Sequence, residues 1–159
     1  MWGPVGQQPS VPSAGQNARV AVFGSLNPVT GRLLAKIGAK KNSASFIIHL
    51  RDVLRACPHK HVFIFIDNSP IHRAKAVLRF IADNASRLTV IWNAAYTPEL
   101  NLIERYWGHL KPKAIHNYFF ETAERLEQAV RDAIRDLNRA KDLRMTVHFD
   151  FVHSLRKSA

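Results

Sequence analysis

The stretch HVFIFIDNSPIH, residues 61–72, decides the fold because a strand-like run ends there in an acid. Residues 61–66 form a short, nearly continuous apolar run, which is typical of a strand covered on both faces. Asp67 follows this run directly, and Asn68 and His72 come soon after it. Asp67 either shapes the turn after the strand or performs chemistry, and the local pattern leaves both interpretations open.

The stretch LTVIWN, residues 88–93, predicts a second buried strand. Between the two strands, residues 69–86 predict a helix, with Ser69 as N-cap and Pro70 at the first helical position. Strand, helix and strand in this order predict parallel strands joined by a right-handed crossover. Because functional groups in open α/β sheets collect beyond the carboxyl ends of parallel strands, Asp67 lies where a site is expected.

The flanking sequence predicts the rest of an α/β domain. Residues 19–39 read as two strands around a turn near Asn27 and predict a hairpin. Further helices are predicted over residues 43–57, with Ser43 or Ser45 as N-cap, over 97–111, and over 121–139. The length of 159 residues suits one domain of ordinary size.

Charge and composition narrow the class of partner. The net charge of +11 favours an anionic partner, and nucleic acid is the usual one. A single cysteine excludes an internal disulfide, and no apolar run is long enough to predict a membrane span or a secretory signal. These features indicate a cytoplasmic protein that has no membrane partner.

A second carboxylate is expected near Asp67. The strand at 88–93 leads into the helix that carries Glu99 and Glu104, so this connection can bring an acid to the same sheet edge. Two facing carboxylates repel, and Mg²⁺ or Mn²⁺ relieves the repulsion because both ions prefer oxygen ligands. Such ions activate a nucleophile and stabilise the leaving oxygen in phosphoryl transfer.

Two linked motifs carry a family resemblance. FIDNSPIH (residues 65–72 with Phe65 first) and AAYTPELNLIERYWGHLK (94–111) resemble the DDE endonuclease domain of bacterial insertion-sequence transposases in the mariner superfamily. Leu102 replaces a proline that is usual in that family. The resemblance covers most of the chain, to about residue 140, and implies a ribonuclease H-like fold, a mixed sheet flanked by helices. It also implies a bacterial protein associated with the nucleoid.

The resemblance implies roles for individual residues. Asp67 matches the second acid of the catalytic triad and Glu104 the third, with Mg²⁺ or Mn²⁺ as cofactor. The carboxylate of Glu99 is interpreted as interacting favourably with the helix dipole. Asn68, His72 and Asn101 are candidates for supporting the site, although a histidine near a helix start is also commonly just partly solvated. Five basic residues either track a DNA backbone or form a solvated basic face: Arg73, Lys75, Arg79, Lys111 and Lys113.

The first acid of the triad is missing. Residues 1–51 contain no Asp or Glu, and all twelve acidic residues lie from Asp52 onward. We therefore interpret the chain as an extended arm over 1–18, a partial catalytic domain over 19–140 that lacks its central first strand, and a basic tail over 141–159. The isolated chain is then expected to be marginally stable, to rearrange, or to have the gap repaired by residues 1–10, by a complementing N-terminal fragment or by a second copy in a homodimer.

Two functions fit this interpretation. One is a transposase catalytic domain that cleaves DNA and transfers strands at transposon ends and target, although the chain alone is expected to be inactive. The other is a non-catalytic DNA-binding or oligomerisation remnant of a transposase.

Overall fold

The computed structural model describes residues 19–38, 40–93, 102–115 and 120–140. In these ranges the chain forms four strands and four helices in the order ββαβαβαα. Their bounds are β1 Ala21–Leu26, β2 Leu33–Gly38, α1 Ser43–Ala56, β3 Val62–Ile66, α2 Lys75–Asp83, β4 Leu88–Trp92, α3 Leu102–Ile115 and α4 Ala123–Arg139. None of the described helices combines the length and apolar character needed to cross a membrane.

The predicted hairpin is confirmed. Strands β1 and β2 pair antiparallel, from Ala21 opposite Gly38 to Leu26 opposite Leu33. The turn forms because the side chain of Asn27 accepts hydrogen bonds from the backbone N–H groups of the two residues after Pro28, at 2.9 and 3.0 Å. Gly31 closes the turn with φ of 65°, a left-handed conformation that glycine adopts without steric cost.

The predicted parallel pair is also confirmed. Strands β3 and β4 run in the same direction, in register from Val62 opposite Leu88 to Ile66 opposite Trp92, with α2 between them in the chain. Within the described part of the chain, β1–β2 and β3–β4 form separate two-stranded sheets with no hydrogen bonds joining them.

Both predicted N-caps are wrong. Asn42, in extended backbone, caps α1 in place of Ser43 or Ser45, because its side chain accepts the backbone N–H of Ser45 at 2.9 Å. Helix α2 begins at Lys75, six residues after Ser69, because a separate turn holds the intervening residues. In that turn the carbonyl of Ser69 accepts the N–H groups of His72 and Arg73, at 2.9 and 3.1 Å.

Two apolar clusters hold the helices on opposite sides of the strands. One cluster lies under α1 and α2 and contains Phe23, Phe46, Leu50, Ile66 and Val77. The other lies under α3 and α4 and contains, among others, Leu33, Ile37, Tyr106, Leu110, Leu126, Val130, Ile134 and Leu137. The last of the predicted helices, over residues 121–139, is therefore confirmed as α4.

The prediction that the strand at 61–66 is covered on both faces is wrong. Ile66 is buried in the cluster under α1 and α2, but Phe63 and Phe65 on the opposite face are 64% and 65% exposed. Because side chains alternate along a strand, these two phenylalanines lie on one face together. Helices α3 and α4 cover the corresponding side of β1 and β2 only.

Candidate functional site at the end of β3

Asp67 lies directly after β3 and is exposed. Its Oδ1 atom accepts the backbone N–H of Ser69 at 2.9 Å and lies 2.7 Å from Nδ1 of His72. Its Oδ2 atom takes part in no hydrogen bond or ion pair with the described residues. Oδ1 therefore shapes the turn, which is one of the two roles that the sequence left open for Asp67. Oδ2 faces outward as a free acceptor.

His72 is held against Asp67 by packing as well as by its hydrogen bond. Its ring lies on the ring of Phe46 in α1, with centroids 4.2 Å apart, and its side chain is 16% exposed. Nδ1 of His72 is the donor in this hydrogen bond, because a carboxylate oxygen only accepts. The structure thus brings His72 to Asp67. The described contacts favour a histidine that supports the site over one that is merely solvated.

Asn68 ties the ends of the two parallel strands together. Its Nδ2 atom donates to the carbonyl of Asn93, just after β4, at 2.9 Å. Its Oδ1 atom accepts from Nε of Arg73 at 3.1 Å and also from Nη2 of the same guanidinium. That guanidinium lies 3.6 Å from the centroid of the Trp92 ring, a cation–π contact that fixes it over β4. The loop carrying Asp67 is therefore braced at both strand ends.

Three contributors to this arrangement were missed at the level of sequence. Phe46 supports His72, Trp92 supports Arg73, and the Asn93 carbonyl anchors Asn68. Trp92 is half-buried, and Arg73 lies on the face of its ring. Nothing in the local sequence signals these pairs, because each joins residues at least 19 positions apart.

Glu104 lies on a separate element, in the first turn of α3. It is exposed and makes no hydrogen bond or ion pair with the described residues, whereas its neighbour Tyr106 is fully buried. Glu104 takes no part in the hydrogen bonds around Asp67. Glu99 and Asn101 lie outside the described residues. Among the residues that are described, no three His, Cys, Asp or Glu side chains are grouped so as to hold a metal ion.

The basic residues predicted to contact DNA divide into two groups. Three of them already have partners: Arg73 has Asn68 and Trp92, Arg79 lies 4.0 Å from Asp83, and Lys113 lies 3.5 Å from Asp136. Lys75 and Lys111 are exposed and form no ion pair with the described residues. These two lysines have the charge most readily available to a phosphate.

The chemistry of the two acids suits a hard divalent cation. Asp67 has one oxygen without a partner, and the Glu104 carboxylate is not neutralised by any described Lys or Arg. Mg²⁺ and Mn²⁺ bind through such oxygens and commonly use one or two carboxylates with water and substrate phosphate. Each carboxylate by itself is a suitable ligand for such an ion, but no group of three ligands forms among the described residues.

Solved structures with a similar fold include integrases. The catalytic core domain of BIV integrase superposes with a TM-score of 0.56 at 15% sequence identity, over 79% of each chain. A chain of the simian T-cell lymphotropic virus intasome, determined in complex with PP2A regulatory subunit B56 gamma, gives a TM-score of 0.57 at 16% identity. That match covers 85% of this protein and 54% of the other chain. The protein thus has a ribonuclease H-like α/β fold, as predicted.

The chain belongs to the DDE superfamily endonucleases, because the model of that family matches residues 1–127. This confirms the DDE endonuclease family predicted from the two linked motifs, whereas the mariner superfamily and the truncation stay predictions. A Shigella sonnei protein described as "Insertion element IS630 uncharacterized 39 kDa protein" is 29% identical over 131 residues. That match covers 82% of this chain but only 38% of the relative.

Proposed function

We propose that the chain is the catalytic part of a transposase that cuts DNA and joins the freed 3′-hydroxyl to target DNA. The observation that carries the proposal is the position of Asp67: it follows a parallel strand directly, it is braced by His72 and Asn68, and it presents a free oxygen. Membership of the DDE superfamily endonucleases and the net charge of +11 support DNA as the substrate.

Asp67 and Glu104 would hold Mg²⁺ or Mn²⁺ in this proposal. The bound ion supplies Lewis-acid activation of water and stabilisation of the leaving oxygen. His72 and the Asn68 brace hold the Asp67 carboxylate with Oδ2 outward, so little reorganisation is needed when a ligand arrives. Lys75 and Lys111 would contact phosphates of the bound strand.

The proposal requires a carboxylate that residues 1–51 do not contain. We propose that it comes from polypeptide beyond these 159 residues or from a partner chain, which would also provide the missing strand.

The absence of an acid in residues 1–51 favours a second candidate as well. In that case the chain is a DNA-binding remnant of a transposase, whose basic surface binds DNA without turnover.

Strand nicking of a DNA duplex that carries the ends of its own element tests the first function. The assay is run with Mg²⁺ or Mn²⁺, with this chain alone and with an N-terminal fragment that carries an additional acid. Asp67→Asn and Glu104→Gln are expected to abolish nicking while DNA affinity stays unchanged. His72→Ala is expected to reduce nicking by about 10- to 100-fold, as is usual when a residue that orients a metal ligand is lost.

Asp83→Asn is the matched control, because Asp83 is an exposed acid at the far end of α2 and, among the described residues, forms an ion pair with Arg79 alone. It should nick DNA at the normal rate. Retained nicking by Asp67→Asn or Glu104→Gln removes the site assignment. Tight DNA binding without nicking, under every combination of fragment and metal, supports the remnant instead.

A further inference from the structure

A cavity of about 460 Å³ lies at the opposite end of β3 from Asp67, between the C-terminal ends of α1 and α2. Its lining includes the three arginines Arg51, Arg55 and Arg87. The apolar residues Leu54 and Pro58 form part of its wall. None of these arginines was among the residues predicted to bind DNA. A cluster of arginines beside apolar side chains is a suitable environment for an anion, because guanidinium groups form charge-assisted hydrogen bonds to phosphate oxygens.

Two of the arginines already contact other parts of the protein before any ligand binds. The Nη2 atom of Arg87 donates to the carbonyls of Leu54 and Cys57, at 2.9 and 2.8 Å, at the end of α1. Its other guanidinium nitrogens remain available as donors. The guanidinium of Arg51 lies over the Phe80 ring, 5.6 Å from its centroid. Side chains held in this way lose less conformational entropy on binding a phosphate than free ones do.

The local charge balance is strongly positive. Asp52 is the one described carboxylate that pairs with a residue lining the cavity: it lies 3.2 Å from Arg55 and also 3.8 Å from Lys36. Three guanidinium groups therefore face the cavity against one carboxylate that is already shared. Arg55 remains 76% exposed in spite of its ion pair, so it can turn to a ligand at small cost.

We propose that this cavity binds phosphodiester groups of DNA, at a second contact remote from the carboxylates. Strand β3 has five residues and leads from the cavity to Asp67, a distance of about 16 Å. Phosphates of one strand of duplex DNA are spaced by about 3.4 Å along the helix axis, so a duplex whose axis runs along β3 from Asp67 would reach the cavity after about five base pairs. The choice of DNA as the polyanion rests on the proposed function, but binding at the cavity does not require cleavage.

The test compares two double variants that remove equal charge. The cavity variant, Arg51→Ala with Arg55→Ala, removes two exposed arginines from the cavity. The α4 variant, Arg125→Ala with Arg131→Ala, removes two exposed arginines of α4 that pair with Glu121 and Glu127. Binding of a short labelled DNA duplex is measured by fluorescence anisotropy in EDTA over a range of salt concentrations. Unchanged melting temperatures establish that both double variants fold.

The cavity variant is expected to bind the duplex at least about tenfold more weakly, and its log–log salt slope should become shallower by about two. The α4 variant should keep the wild-type slope. Equal losses of duplex affinity in the two variants would show that the effect comes from the total charge of the protein, and this would overturn the proposal. Binding of inorganic phosphate at the cavity that leaves the affinity for the duplex unchanged would assign the cavity to a free anion and likewise overturn the proposal.

This test separates failure of the second contact from failure of the proposed function. If the cavity variant binds normally while Asp67→Asn abolishes nicking, the cavity proposal fails alone. If Asp67→Asn continues to nick DNA while the cavity variant binds weakly, the site assignment fails and the cavity contact stands.

Discussion

At the scale of single residues, His49 is an unusual occupant of the core. It is 1% exposed, and its ring lies near the rings of Phe23 and Phe46, with centroids 6.4 Å away in each case. Its Nε2 atom bonds Ser25 Oγ at 2.8 Å, and Nδ1 has no partner among the described residues. Burial lowers the pKa of His49 to about 4, in spite of the opposing charge of Asp52. The folded protein therefore holds this imidazole neutral.

This burial predicts a loss of stability in acid. Below the ordinary pKa of 6.5 the unfolded chain binds a proton at His49, and the folded chain does not bind it until about pH 4. The free energy of unfolding should therefore fall as the pH drops from about 6.5 to about 4, by roughly 3 kcal/mol from this residue. Urea unfolding across this range measures the fall. His49→Gln should show a correspondingly weaker pH dependence, and an unchanged dependence would contradict the assignment.

The position of Asp67 could be predicted from sequence, and its surroundings could not. An apolar run followed by Asp, Ser and Pro is a local signal, so the end of a strand was expected at this residue. The contact of His72 with Phe46 and that of Arg73 with Trp92 depend on how separate elements pack. Such contacts arise from tertiary structure and leave no trace in the spacing of neighbouring residues. The same holds for Glu104, whose place relative to Asp67 is set by packing of α3 and stays a prediction.

At the scale of elements, the contact between β1 and α3 depends on a missing side chain. A Cβ atom at Gly24 would lie 2.7 Å from Cη2 of Trp107 and 3.0 Å from Cδ1 of Leu33. The glycine in the middle of β1 therefore lets α3 approach the strand. The indole is a large, partly buried group packed against the cluster under α3 and α4, so it has little freedom to retreat.

Replacing Gly24 by alanine should lower the free energy of unfolding by about 1–3 kcal/mol, the usual cost of overpacking. Gly108→Ala is the control, because it lies in α3 with nothing within 4 Å of its added Cβ. That change should raise stability by about 0.5–1 kcal/mol through helix propensity. Chemical denaturation of the two variants measures both effects, and equal values for them would contradict the proposed approach of α3.

The errors at this scale have physical causes. Asn42 precedes two serines that are acceptable caps, and the choice among three adjacent candidates depends on the angle at which the chain enters α1. Helix α2 starts late because the side chains of His72 and Arg73 hydrogen-bond back to Asp67 and Asn68 at the end of β3. These bonds compete with the backbone pattern of a helix. The exposed face of β3 could not be foreseen, because an apolar run reads the same whether one or both faces are covered.

At the scale of the whole molecule, the two sheets share one apolar cluster without sharing hydrogen bonds. Phe23 of β1 and Ile66 of β3 belong to the same buried cluster as Phe46 and Leu50 of α1, yet each strand pairs only with its own partner among the described residues. The resemblance implied that a central strand belongs between them. The edges of β1 and β3 that do not pair with β2 or β4 then carry backbone N–H and C=O groups without strand partners.

Native-state hydrogen exchange of the chain, monitored together with its mass in solution, tests this gap. In an antiparallel pair only every second residue bonds to the neighbouring strand, so about half the amides of β1 should exchange fast in the monomer. Amides within α1, whose hydrogen bonds are internal to the helix, provide the protected reference. Because a strand inserted between the sheets would satisfy both edges, uniform protection from Ala21 to Leu26 in a monomer would contradict the gap. Gain of that protection only upon adding an N-terminal fragment or upon dimerisation would identify the source of the missing strand.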